Sequence, residues 1–256
     1  MLINDLYIVK ELPIFKCIVF YGSLLFFVSA FSEKTIFDQG ALSLTFDDGY
    51  ECHYTSALPL LETYNMQGTF YLTTSFLEKP GYLTKTQVIS LFQQGHEIAS
   101  HGVTHRNFKK LSPFEIEKEL RHSKLALETL LSSPITSFAP PFGFFHPHLM
   151  YLIKKHYRTN RTITPRLNAI HQIYPLQIQS HVVFHSTALC EVEEWIDQSV
   201  REKKWLVLVY HQIDDTETIV SVSKNTFESH LQAIQKRNIT TLTIQEMIFF
   251  LENKNK

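Results

Sequence analysis

The chain has 256 residues, 44% of them hydrophobic and 19% charged, with 24 basic and 25 acidic side chains and a formal net charge of −1. That length suits one large α/β domain, since barrels of roughly 200–250 residues commonly form a single domain. A balance this near neutrality gives no field that would draw in nucleic acid or acidic lipid, and it is unchanged when residues 1–30 are set aside.

The first 30 residues stand apart. Cys17 to Phe31 is an uncharged run of 15 residues, preceded by Lys10 and Lys16 and containing Val28-Ser29-Ala30. A membrane span needs about 20 apolar residues, so the run is short for one and suits a secretory apolar region with small residues near a cleavage point. Residues 1–30 are therefore expected to be a signal peptide or N-terminal anchor, the only segment through which the chain would meet a membrane. Residues 31–256 are expected to form one exported domain, in the periplasm, the cell envelope or outside the cell. Export leaves Cys52 and Cys190 in an oxidising compartment, where they could form one disulfide if the fold brings them together.

Ala41 to Tyr50 reads as a buried strand. Leu42, Leu44 and Phe46 alternate onto one face, and Gly49 lets the chain turn sharply after it. The strand delivers Asp47 and Asp48 to its C-terminal lip. Two like charges held close raise each other's pKa, so the pair is either a solvated turn or a site that uses both charges, on a cation or on a proton. Leu58, Leu61 and Tyr64 then fall at helical spacing, and Gly68 precedes a strand at Thr69–Thr73. Thr84 caps a helix with Val88, Leu91 and Phe92 on one stripe, and Gly95 stops it before a short strand at Glu97–Ala99.

Ser112-Pro113-Phe114-Glu115 is a capping box, opening a helix that carries Ile116, Leu120, Leu127 and Leu131. Strands are expected at Ile135–Ala139 and Tyr157–Ile163 around a short helix at Leu149–Lys155, and His171–Gln179 reads as a loop with irregular strand. Val182–Phe184 is strand-like, and Val192, Trp195, Ile196 and Val200 mark an amphipathic helix. Trp205–Tyr210 is an apolar strand running into His211. After a polar loop from Gln212 to Ser223 come a helix with Phe227, Leu231 and Ile234, a strand at Ile239–Leu242, and a second capping box, Thr243-Ile244-Gln245-Glu246. Alternation of strand and helix predicts a parallel sheet closed or nearly closed into a barrel of about seven strands. In such a fold the chemistry lies at the C-terminal strand ends.

Three further features sit at those ends. In His101-Gly102-Val103-Thr104-His105 two imidazoles four residues apart can share an ion if the backbone between them turns. Spacing alone is weak, because random placement of 13 histidines gives roughly 0.6 such pairs. His181 and His185 have the same spacing, but Val182-Val183-Phe184 looks extended and would hold them roughly 13 Å apart. Asp48 with His101 and His105 would leave an open coordination position, as catalytic sites do. Phe138-Ala139-Pro140-Pro141-Phe142-Gly143 is a backbone fixed by prolines, either a rigid corner or a loop that aims a main-chain amide at a ligand. His211, after a buried strand, is either a structural histidine or an acid catalyst.

In this order the four features resemble the motifs of the polysaccharide deacetylases, carbohydrate esterase family 4, over about Ala41 to Leu251. The resemblance implies a distorted (β/α) barrel and one divalent ion, most often Zn2+ with Co2+ or Ni2+ as alternatives, on Asp48, His101 and His105. It further implies Asp47 as general base, His211 as general acid, the Phe142 backbone N–H as oxyanion donor, and Pro141, Gly143 and Tyr50 near the substrate. The implied reaction is metal-dependent hydrolysis of an N-acetyl group on an envelope or extracellular glycan, with O-acetyl ester hydrolysis on a xylan-like polymer or glycan binding without turnover as alternatives. Tyr50 and Tyr210-His211-Gln212-Ile213 look like the branch acting on exported poly-N-acetylglucosamine. Two departures stand out. Ala139 occupies the place where the family often has an arginine orienting the catalytic Asp, and Arg161 on the next expected strand is the candidate replacement. The family's Asp-and-Trp segment has no clear match.

Overall fold

The computed structural model describes residues 17–21, 24–28, 38–143 and 146–253. The chain divides into two units, Met1–Ser32 and Glu33–Lys256. In the first, β1 (Cys17–Tyr21) and β2 (Leu24–Val28) pair antiparallel. Most of the expected leader lies outside the described residues. Among the described residues no helix is long and apolar enough to cross a membrane.

The second unit is built on a curled parallel sheet. Its strands are β3 (Ala41–Asp48), β4 (Gly68–Leu72), β5 (Glu97–Ser100), β6 (Ser137–Phe138), β7 (Thr159–Asn160), β8 (His181–Val182) and β9 (Trp205–Tyr210). They lie in the order β7-β6-β5-β4-β3-β9-β8. A parallel bridge from Arg161 to Ile178, three residues before β8, ties the β7 edge to the segment entering β8. The seven-stranded distorted barrel read from the alternation is the fold. β10 (Gln212–Ile213) and β11 (Ser221–Val222) form a small separate pair inside the segment expected to be a polar loop, and β12 (Thr240–Thr241) pairs with β3.

The helices described along the strands are α1 (Leu58–Thr63), α2 (Lys85–Gln93), α3 (Pro113–Leu131), α4 (Pro147–Lys154), α5 (Leu189–Glu202), α6 (Lys224–Lys236) and α7 (Ile244–Asn253). Thr84 and Ser112 close capping boxes with Gln87 and Glu115, and Thr243 does the same with Glu246 at α7. The strands expected at 135–139 and 157–163 contract to two residues each. Pro140 and Pro141 have no N–H to extend the ladder, and beyond Asn160 the pairing passes from β6 to the Ile178 bridge.

Alternation along β3 separates two cores. Leu42, Leu44 and Phe46 face the helices in the larger cluster, whereas Ala41 joins Tyr71, Ala99, Ala139, Trp205 and Val207 in the smaller one inside the sheet's curl. Ser43 and Thr45 share that inner face and satisfy each other's neighbours: Trp205 Nε1 donates to Ser43 Oγ at 2.9 Å and Thr45 Oγ1 to the Leu208 carbonyl at 2.8 Å. The next inward position is Asp47.

Candidate active site

Strand register brings the site residues to one level. Phe46 pairs with Tyr210, so Asp47 lies level with His211. Asp48 pairs with Leu72 and Leu72 with Ser100, which places His101 just beyond Asp48. Ser100 pairs with Phe138 and Phe138 with Asn160, so Ala139 and Arg161 occupy equivalent positions on neighbouring strands.

Asp48, His101 and His105 each direct one ligand atom into a space where all three atoms lie within 4.8 Å of one another. His101 Nδ1 is 2.7 Å from the Ala139 carbonyl, which can only accept, so this nitrogen carries the proton and Nε2 keeps its lone pair. Asp48 Oδ1 stands 3.5 Å from His101 Nε2 and 3.0 Å from His105 Nε2, yet it is buried with no well-aligned hydrogen bond among the described residues. A buried carboxylate oxygen without a donor, facing two imidazole nitrogens, is what a divalent cation would satisfy, and the donor set fits one. Burial works against the charge on Asp48, but His105 and His101 outweigh it and lower its pKa. At His105 burial opposes protonation while Asp48 favours it, and the net shift is upward. Burial holds His101 down.

Three residues of the site have left-handed backbones without being glycine: Asp48 at φ 75°, His105 at φ 57° and Phe142 at φ 60°. Each costs about 1 kcal/mol or more and persists because its surroundings enforce it. At His105 the enforcing group is Glu119, a buried side chain of α3. It accepts from Val103 N at 2.7 Å, from Thr104 N at 2.9 Å and from Thr104 Oγ1 at 2.5 Å. A carboxylate thus folds the turn between the two histidines. Motif reading passes over Glu119, although a charged residue on the apolar stripe of Ile116, Leu120 and Leu127 is a signal in the sequence.

Asp47 stands outside that three-residue set. Arg161 Nη2 donates to both its oxygens, at 2.5 Å and 2.6 Å, and the guanidinium lies over the Tyr71 ring at 4.9 Å. Arg161 is completely buried and Asp47 is 3% exposed. Burial raises the pKa of Asp47, but Arg161, then His101 and His211, more than offset it, and the carboxyl is held below its ordinary range. Asp47 Oδ2 is 4.0 Å from the Nε2 of both His101 and His211. In the sheet order these two histidines approach β3 from opposite sides.

Pro141 is buried and Phe142 is 59% exposed, so the turn offers Phe142 outward. Gly143 packs on Ile163 so closely that a Cβ would fall 2.2 Å from it. Phe142 begins an aromatic wall. Ring centroids run from Phe142 to His105 at 4.8 Å, to Phe76 at 5.9 Å, to Tyr82 at 4.7 Å and to Tyr50 at 5.2 Å. These are the aromatics that composition alone does not distinguish from core. His181 and His185 do not join the cluster. Cys52 and Cys190 are both free, and Cys190 is exposed, so the disulfide open on the sequence is not formed.

Residues 34–160 match the family model described as Polysaccharide deacetylase. The chain is 28% identical over 112 residues to YxkH of Bacillus subtilis (strain 168), covering 44% of this chain and 40% of that protein. It is 32% identical over 132 residues to the peptidoglycan-N-acetylmuramic acid deacetylase PdaA of the same organism, covering 51% of this chain and 46% of that one. The chain therefore spans less than half the length of both relatives. In fold it is similar to the Xyl-CE4 domain of a multidomain xylanase from the hindgut metagenome of Trinervitermes trinervoides. The TM-score is 0.60 at 18% identity, over 84% of this chain and 91% of that one.

Proposed function

The chain belongs to the polysaccharide deacetylase family, and from that premise we propose that it is a metal-dependent hydrolase releasing acetate from N-acetyl groups of an exported N-acetylglucosamine-containing glycan. The observation that carries the reading is the division of labour between two adjacent carboxylates. Asp48 belongs to the set with the two imidazoles, and Asp47 is clamped by Arg161 outside that set.

Asp48, His101 and His105 would hold the ion, for which zinc suits the donor set. When bound, it polarises the acetyl carbonyl and lowers the pKa of water at the site toward about 7. Asp47 takes the proton of the attacking water. Arg161 keeps this carboxylate ionised and fixes its plane, so a remaining lone pair is held in one direction, at some loss of basicity. The Phe142 N–H sits on the left-handed turn beside His105 and serves the developing oxyanion. His211, across β3 from His101, gives its proton to the leaving nitrogen. The wall of Phe142, Phe76, Tyr82 and Tyr50 provides flat apolar faces for sugar rings. Residues 1–30 direct export, which puts the enzyme where such glycans are found.

The test is acetate release from N-acetylglucosamine oligomers, with and without chelator and after readdition of zinc, beside acetylated xylan. Chelator-sensitive release from the oligomers is expected. Release from xylan alone would replace the amide reading with ester hydrolysis, and no release from either by a folded, metal-loaded protein would overturn the enzymatic reading.

A further inference from the structure

The reading of His211 as proton donor leaves its ring without a holder. Its Nε2 is 4.0 Å from Asp47, beyond hydrogen-bonding distance, and its Nδ1 is buried with no hydrogen bond among the described residues. With no hydrogen bond on either ring nitrogen among the described residues, the course of the main chain bears on where this imidazole points. His211 is the single residue between β9 and β10, outside both ladders.

At this point a second element intervenes. The Asp48-Gly49 turn leads within a few residues to a tight helical turn at His53–Ala57. His53 is fully buried, its ring against Phe46 at 5.5 Å, Phe70 at 5.8 Å and Tyr50 at 5.9 Å. Its Nε2 is 2.6 Å from the carbonyl oxygen of His211, so Nε2 carries the proton and donates it. Its neighbour Cys52 accepts from the N–H of Ile213 at 3.2 Å. Two adjacent side chains thus grip the His211 segment on both sides of Gln212, and each satisfies a main-chain group. Burial pushes the His53 imidazole down to about 4, so it stays neutral and the bond does not come and go with pH near neutrality.

We propose that His53 is the positioning residue of the proton donor: by holding the His211 carbonyl from the segment that follows β3, the strand whose end carries Asp47 and Asp48, it aims the His211 ring at the leaving group. The inference rests on the deacetylase reading for its kinetic arm. In that reaction the C–N bond breaks with its electron pair going to nitrogen, nitrogen takes the proton from His211, and the acyl carbon leaves as acetate with the oxygen of water. An aryl acetate breaks a C–O bond whose leaving phenolate needs no proton. Misaiming the donor therefore harms amide cleavage and spares aryl ester cleavage.

The experiment compares His53→Phe, which keeps the aromatic packing without the donor, with His53→Gln, whose amide N–H can reach the carbonyl. Should His53→Phe not fold, His53→Asn, whose donor stops short, takes its place. Expected for the donor-less variant is a fall of about tenfold or more in kcat on N-acetylglucosamine oligomers. Its KM is expected to stay within about twofold and its aryl acetate hydrolysis within about threefold, and His53→Gln recovers most of the amide rate. An equal fall on both substrates, or no fall on the amide, overturns the proposal. The second readout does not need turnover. In 15N–1H spectra of the histidine rings, the His211 resonances are sharp and single in wild type and His53→Gln, and broadened or doubled without the donor. Unchanged His211 resonances in the donor-less variant overturn the proposal. A wild type that releases no acetate overturns the deacetylase reading instead, and the ring spectra then decide on His53 by themselves.

Discussion

Arg161→Met is the most informative single change. In the folded protein the guanidinium is wholly buried and gives two short hydrogen bonds to Asp47, itself nearly inaccessible. Methionine keeps much of the stem's volume over Tyr71 and leaves a carboxylate in a dry place with no cation beside it. Removing one partner of a buried pair costs about 3–5 kcal/mol, which for a domain of this size lowers Tm by roughly 6–20 °C. The pH dependence separates this from simple loss of packing. With Arg161 present the Asp47 pKa is depressed, so its contribution to stability is present above the unfolded value of about 3.9 and is lost as pH falls through the folded one. Without Arg161, burial dominates and lifts the folded pKa above the unfolded one. The ionised form is then the destabilising one, and the variant loses ground as pH rises. Thermal melts in chelator should show the widest gap from wild type near pH 7, closing toward about pH 4. Asp47→Asn added to Arg161→Met should restore at least about half of the loss, since it removes the orphaned charge. A gap of constant size across this range, or a double variant no more stable than Arg161→Met, would refute the reasoning.

The metal site should be proton-linked through His105, whose pKa is raised. Zinc affinity measured by titration calorimetry should climb as pH rises through that value, with a proton released on binding in buffers of different ionisation enthalpy, and a flat profile across neutrality contradicts the assignment. Glu119→Gln should weaken zinc binding by about 10–100-fold without touching a ligand, because it loosens the turn between His101 and His105. Unchanged affinity would make Glu119 merely a packing group. Glu97, buried and accepting from Thr69 Oγ1 and Gln245 N, is pushed up to about 7 by burial. An acid with a raised folded pKa loses stability as pH climbs from its unfolded value to its folded one, so the unfolding free energy of Glu97→Gln relative to wild type should improve between about pH 5 and pH 8, by up to about 3 kcal/mol, read as a rising Tm difference. A Tm difference that does not change over that range would place the proton elsewhere.

Much of this molecule is local information. The alternation of Leu42, Leu44 and Phe46, the three capping boxes and the run Trp205–Tyr210 specify their elements within a few residues, because side-chain periodicity and caps act at short range. The strand–helix order carries the parallel barrel, and the motif residues fall at strand ends where such folds place their chemistry. What the sequence does not contain is register. Only the pairing of β5, β6 and β7 puts Arg161 level with Ala139, so that a cation one strand away reaches Asp47. Likewise Glu119 and His53 carry no motif. Their use depends on which backbone groups the packed fold leaves unpaired beside them, the amides of Val103 and Thr104 for one and the His211 carbonyl for the other. The sequence determined the Asp48, His101 and His105 set, the paired acids and the barrel that gathers them. The tertiary structure decided which acid is clamped by Arg161, how the turn between the histidines is held and what grips the His211 backbone. Those depend on distances between residues as far as 158 positions apart, which only packing fixes.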